Sequence, residues 1–344
     1  MNKLMGENHF NKLVMLPIAR GYVTLSELIK KYWFIAGLVF VFIVTIADTT
    51  ETISGMGKWL KMHRGPDAVI ILIFFFSGLI LNARQIRSGL MDIKGMVIAL
   101  AIIFLIAPLT GAFFSMASVE TGIKIGIFLV AVMPTTLSSG VVMTGAAGGN
   151  MAHALVITIL ANGLAVFTIP VVLSWLLNLI GGTAVVSIDK LAIVVKLGCY
   201  VLLPLCIGLT IKFFKKSFID RFVQKLQVVN QCFVLGIVWM AMSSARDAII
   251  CTGGSVGIIF LLVFGFHGIL LSSAGLFSKL LKLGRGRRES VIFMGSQKTL
   301  PLSVILQVSL FPQYGLALVV CVLHHLVHLL TDGYLVGRLR KIED

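Results

Sequence analysis

The sequence predicts an all-α polytopic membrane protein with ten transmembrane helices, built as two inverted five-helix repeats in which helices 4 and 9 are broken. Three observations predict it. Of the 344 residues, 58% are hydrophobic and 12% charged, whereas soluble domains carry about 45–50% apolar and about 25% charged residues. Apolar runs approaching the ~20 residues that cross a bilayer recur along nearly the whole chain and leave no room for a soluble domain. The Lys and Arg residues behind the net charge of +15 collect in the gaps between those runs, a pattern of membrane topology and not of a nucleic-acid-binding patch.

The elements follow in order. Residues 1–31 carry Lys3, Lys12, Arg20, Lys30 and Lys31 but neither an apolar core nor a small-residue cleavage site, so they are expected to form a cytoplasmic lead and not a signal peptide. Apolar runs then predict helices at about 32–48, 66–82, 95–118, 122–147 and 151–179, a first repeat spanning 32–180. A second repeat, 188–336, takes helices at about 189–211, 225–245, 254–278, 289–309 and 315–336, and residues 337–344 form a cytoplasmic tail. The breaks between runs are polar: Lys58, Lys61 and Arg64 after the first, Arg84, Arg87 and Lys94 after the second, Lys124 after the third, and Gly149-Asn150 at the start of the fifth. With the N-terminus inside, 21 Lys and Arg fall on the cytoplasmic side and 6 on the outer side, with only Lys196 and Lys298 left inside spans. That bias orients a bilayer protein, so both termini are expected in the cytoplasm and the chain in the cell (inner) membrane. Cys199, Cys206, Cys232, Cys251 and Cys321 show no paired spacing, so no disulfide, metal or other cofactor is expected. No nucleophile, base and acid are grouped by spacing, so no enzyme is expected.

Five helices before the Ser/Gly-rich stretch near 181–187 and five after it give halves of opposite orientation, a transporter signature. The offset between halves, about 157 residues, carries Pro134 to position 291, close to a second polar interruption. One break reads Met133-Pro134-Thr135-Thr136-Leu137-Ser138-Ser139-Gly140 and the other Gly295-Ser296-Gln297-Lys298-Thr299-Leu300-Pro301. Proline removes an amide donor and clashes with the preceding turn. Backbone freed in this way is tolerated at membrane depth only where protein or a cavity receives it. The breaks should therefore face inward, with half-helix N-termini, hydroxyls and unwound carbonyls offered to a substrate or ion.

Lys298 lies near the centre of its span, where a charge costs at least about 2.5–3.5 kcal/mol. All fourteen acids are expected in tails, loops or span ends, which leaves no buried carboxylate to pair with it. Three readings stand: an amine made neutral by burial, structural filler held by carbonyls, or a charge kept for an anionic ligand. His324 and His328 share one helix face, with His325 beside them, and are candidates for a proton relay or for hydrogen bonds between helices. Without a third ligand nearby, metal binding is a weak reading of the pair.

The run from Met133 to Thr144, followed by Gly149-Asn150, resembles the fourth-helix motif of the sodium/bile acid symporter family. Phe293-Met294-Gly295-Ser296-Gln297-Lys298-Thr299-Leu300-Pro301-Leu302 resembles the ninth-helix motif of its divergent SBF-like branch. The resemblance implies a panel of helices 1, 2, 6 and 7, a core with crossing helices 4 and 9, and alternating access around the crossing. It also implies that Thr158 and Gln297 match residues that bind sodium in coupled members. Phe293 and Val141 stand where those members carry glutamate and asparagine, and Lys298 replaces a neutral side chain. A fixed ammonium can substitute for a bound cation and repel a second one.

The sequence thus points to a secondary transporter of an organic anion or amphipathic acid, without the usual two-sodium site. Its expected centre is Lys298, Gln297, Ser296, Thr299 and Pro301 with Pro134, Thr135, Thr136, Ser138, Ser139 and Thr158. Expected partners are a small organic anion, membrane lipid and a coupling proton, but no nucleic acid. The competing readings are a proton-coupled antiporter and a non-transporting membrane regulator of ion homeostasis. In a cysteine-free background, single cysteines near Arg285 should react with an impermeant thiol reagent only from the inside, and ones near Lys58 only from the outside. The reverse labelling would overturn the orientation.

Overall fold

The computed structural model describes residues 25–81, 92–137, 139–180, 189–251 and 253–341, and among them the chain is helical with no strand. In chain order the helices are α1 (Leu25–Ala47), α2 (Thr52–Met62), α3 (Gly65–Ile80), α4 (Ile93–Phe114), α5 (Thr121–Val132), α6 (Ser139–Ala146) and α7 (Met151–Leu179). They continue with α8 (Lys190–Phe214), α9 (Val223–Cys251), α10 (Val256–Leu280), α11 (Arg287–Ser296), α12 (Leu300–Leu310) and α13 (Gly315–Lys341). Seven of them, α4 and α7 to α10, the α11–α12 unit and α13, are long and apolar enough to cross a membrane. This is a multi-pass membrane protein. The expected runs 66–82 and 122–147 are occupied by α3 and by the pair α5 and α6. The first run lies within α1, which starts inside the expected lead, while residues 1–24 of that lead, the 181–187 stretch and residues 342–344 of the tail lie outside the described residues.

One helix was not legible from apolar runs. α2 occupies the break expected between the first two spans and bends away from α1 by 107°. Asp48 makes the corner: its carboxylate accepts hydrogen bonds from the Ser54 amide and hydroxyl, at 2.7 and 2.9 Å, and from Thr50 at 2.9 Å. Arg246 of α9 then holds the end of α1, donating to the carbonyls of Thr45 (3.1 Å) and Asp48 (2.8 Å). A buried guanidinium so used satisfies C-terminal carbonyls that a helix end leaves without partners.

Two groups of helices pack chiefly within themselves, and α9 also packs on α13 and so joins them. α3 packs chiefly against α8 and α9, and α9 also covers α1 and α2. α5 packs on α13, α10 on α11 and α13, and α11 on α4, α6 and α7. Gly78 of α3 and Gly208 of α8 let two backbones touch: a Cβ on Gly78 would sit 2.3 Å from the Leu205 carbonyl oxygen, and one on Gly208 2.3 Å from that of Phe75. Close approach through small residues is how membrane helices gain contact without a hydrophobic driving force between them.

Two helices carry π-turns ahead of a proline, Ile102–Ile106 before Pro108 in α4 and Gly198–Leu202 before Pro204 in α8. In α4 the amide of Ala107 reaches back five residues to Ile102. Pro108 has no amide to give, so the Ile103 carbonyl is left without a helical donor and free for another group.

Gly78→Ala and Gly208→Ala should each lower the apparent Tm of purified protein, at about 1–3 kcal/mol of overpacking. Gly163→Ala in α7, where a Cβ meets nothing within 4 Å, should be neutral or stabilising by up to about 1 kcal/mol through helix propensity. Equal melting of all three variants would refute the α3–α8 contact.

Candidate functional site

Pro134 follows the extended C-cap Met133 of α5, and α6 begins at Ser139; likewise α11 ends at Ser296 and α12 begins at Leu300, with Pro301 in its first turn. The two breaks touch. The Thr299 amide donates to the Pro134 carbonyl at 3.0 Å, a backbone bond across the two breaks. Proline supplies an acceptor without a competing donor, and each break satisfies part of the other.

Lys298 is 2% exposed. Its ammonium donates to the carbonyls of Met133 (2.9 Å), Ile103 (3.0 Å) and Ala131 (3.3 Å). Two of these belong to the broken end of α5, where the helix dipole is negative, and the third is the carbonyl freed by the π-turn of α4. Hydrogen bonds to a charged group contribute about 1.5–3 kcal/mol each, enough together to offset much of the cost of burying one charge. An ammonium has three N–H donors, and all three are taken. Lys298 therefore has no N–H left for a further partner.

Gln297 occupies the centre of a second network. Its Oε1 accepts from the hydroxyls of Thr136 (2.7 Å) and Ser139 (3.0 Å), and its Nε2 donates to Asp332 Oδ2 (2.8 Å) and Met143 Sδ (3.1 Å). Asp332 is fully buried, and its Oδ1 lies 2.9 Å from His267 Nε2 of α10. This corrects the expectation that no buried carboxylate is available, as does Glu289 at the start of α11, which is buried too. α13 runs to Lys341, so Asp332 is inside the helix and extends the face of His324 and His328 by one more turn. His328 bonds His325 (2.7 Å), and the rings of His267, His324 and His328 have centroids 5.5–5.9 Å apart.

Other expected site residues sit around this centre with lesser roles. Thr135 is buried, and its carbonyl accepts from Asn162 of α7 at 3.3 Å. The Thr158 and Ser296 hydroxyls donate to carbonyls of their own helices, Ala154 at 2.9 Å and Ile292 at 2.8 Å, and the Thr158 carbonyl accepts from the same Asn162 amide at 2.9 Å. Ser138 lies outside the described residues. Among the described residues no group of three or more His, Cys, Asp or Glu side chains is arranged to hold a metal ion.

A cavity of about 720 Å³ opens between the two helix groups and reaches the breaks at Thr136, Ser139, Thr299 and Pro301. Opposite stand Ser77 and the amide side chains Gln224, Gln227, Asn230 and Gln231, none of which was singled out from sequence. Phe34, Phe74, Val142 and Leu329 make its apolar walls, and His325 its link to the histidine cluster. Lys298 does not line it. Lys196, the other basic residue inside a span, donates to Ser309 of α12 at 2.6 Å, a side-chain bond between the two helix groups.

Residues 32–341 match the model of the SBF-like CPA transporter family. The chain belongs to that family. Among relatives of this family member, the probable sodium/metabolite cotransporter BASS4, chloroplastic, of Arabidopsis thaliana is 31% identical over 285 residues, covering 77% of this chain and 64% of the relative. The chain thus spans a little under two thirds of that protein's length. The sodium/bile acid cotransporter 7 of Xenopus tropicalis is 25% identical over 329 residues, covering 92% of this chain and 94% of the relative.

Gln297→Leu should lower the apparent Tm more than Thr136→Val does. It strands two hydroxyls and one carboxylate oxygen at about 1–3 kcal/mol per unsatisfied group, whereas the threonine change strands fewer. Equal melting of the two variants would remove Gln297 from the centre of the network.

Proposed function

We propose that this protein is a secondary transporter that moves an organic anion or amphipathic acid across the cell membrane by alternating access, without the two-sodium site of its sodium-coupled relatives. The observation that carries this reading is the Lys298 ammonium, caged by three carbonyls beside the crossing. Carbonyl oxygens at a helix C-terminus and a π-turn are the ligand type that suits a hard cation such as sodium. A covalently attached cation there supplies the charge permanently, and a second positive ion meets strong repulsion at low dielectric.

The reading takes α1, α3, α8 and α9 as the panel and the remaining spans as the core, completing ten transmembrane helices in two inverted repeats with both termini in the cytoplasm. The cavity supports an amphipathic solute: a polar stripe of amides and hydroxyls faces apolar walls. Among the described residues no lysine or arginine lines it. An anionic group would be received by Thr136, Ser139, Thr299 and the α12 N-terminus, within the field of Lys298. Trp33, Ile80 and Gln224 lie at the end of the cavity that the positive-inside assignment gives to the cytoplasm, which supports an inward-facing state.

Proteoliposome flux of the bile salt taurocholate, with sodium, potassium or choline outside, tests transport and its sodium requirement together. Flux that needs sodium would overturn the sodium-free reading. Wild-type Tm should be the same in sodium and choline, whereas Lys298→Ala, which empties the carbonyl cage, should lose stability in choline and regain part of it saturably in sodium. A ligand at 100 times its Kd restores about 2.7 kcal/mol. A sodium-specific stabilisation of the wild type would refute the cage as an occupied cation site.

A further inference from the structure

The transport reading leaves open what drives the solute, and the buried acid of α13 bears on that question. Asp332 is fully buried and makes two hydrogen bonds, one to His267 and one to Gln297. Through His267 of α10 it is linked to the rings of His324 and His328, and through His328 to His325, all on α13; through Gln297 it is linked to the break between α11 and α12, where Lys298 is the next residue in the chain. Burying these groups carries a desolvation cost that apolar side chains of similar size would not incur, so helix packing alone does not account for them.

We propose that Asp332, paired with His267, is the proton-coupling site of this transporter, and that one proton bound there travels with one organic monoanion. The inference rests on the transport reading but on separate atoms. With Asp332 ionised, its negative charge offsets that of Lys298 next to the same break, and the crossing has no net field for an anion. A proton on Asp332 removes the negative charge and leaves the ammonium uncompensated. The cavity-lining hydroxyls of Thr136 and Ser139, which already bond Gln297, then face an anion with a positive potential behind them. Loss of the proton restores the offset and releases the anion, so proton and anion bind together and leave together. Charge balances, because each cycle moves one proton and one negative charge in the same direction.

The route to the site is also built. His325 lines the cavity, and its Nδ1 is 2.7 Å from His328 Nε2. The rings of His328 and His267 are 5.9 Å apart between centroids. Each carries a buried nitrogen with no partner, Nδ1 in both, as does His324 at Nε2. Three unpartnered imidazole nitrogens in one buried cluster are costly in a static core. They are what a chain of proton donors and acceptors requires, because each nitrogen must be able to take or give a proton in turn.

The test has two arms. Purified protein in lipid vesicles, with no organic anion present, is examined by infrared difference spectroscopy between mildly alkaline and mildly acidic buffer. The wild type should show a protonated-carboxyl band that is absent from Asp332→Asn and is kept, shifted in frequency, by Asp332→Glu. Asparagine preserves the volume; its Oδ1 can accept from Gln297 Nε2 while its Nδ2 donates to His267 Nε2 in the other tautomer, and a normal melting curve and elution profile check that the variant folds. A band that persists in Asp332→Asn would overturn the proposal. In the second arm, an acid-outside gradient should drive taurocholate accumulation in wild-type proteoliposomes, and Asp332→Asn should lose it. Accumulation by Asp332→Asn on that gradient would also overturn the proposal. Absence of any wild-type taurocholate movement would count against the transport reading alone, and the infrared band would still decide the proton site.

Discussion

In a hydrocarbon layer every backbone amide and carbonyl has to be satisfied within the protein, and two helices broken near their middles leave several of each without partners. The rest of this structure is arranged around that constraint. The Pro134 carbonyl takes the Thr299 amide, and the carbonyls of Ala131 and Met133 take two of the three protons on Lys298. The third proton goes to Ile103, a carbonyl that is available only because a π-turn and Pro108 remove its helical donors. A lysine that would be prohibitively placed in an apolar span thus becomes the piece that closes the backbone accounts of two helices.

The same arrangement separates charge from contact. Because its three donors are consumed, Lys298 stays within the crossing and does not line the cavity, whose polar surface is made by hydroxyls and amides. In the proposed transport cycle such a surface would hold an amphipathic anion weakly enough to release it, since no ion pair has to be broken. The cavity is walled by α1, α3 and α9 on one side and by α6 and α13 on the other, with the crossing between them. In the proposed transport cycle, movement of one side against the other would change access to the cavity.

Much of the fold was legible before any coordinates. A long apolar run predicts a helix by a signal that is local and strong, and α7 occupies the same residues, 151–179, that its run marks. The proline-bearing interruptions at Pro134 and Pro301 were equally visible, because a missing amide is written in the sequence itself. Asp332 was placed at a span end because α13 continues five residues past its expected limit. Its periodicity with His324 and His328, four residues apart each time, was the signal that marked it. α2 was missed because its amphipathic composition does not stand out against a polar break.

The sequence by itself determined that the chain is a multi-pass helical membrane protein with two matched breaks and one lysine buried in the second, since hydropathy, proline chemistry and charge placement are properties of short segments. Only the tertiary structure decided what that lysine touches, which acid shares its break and which amides line the cavity. Those facts depend on residues such as Ile103, Gln297 and Asp332, far apart in the chain, being brought together by helix packing. Nothing in a linear reading measures such a distance.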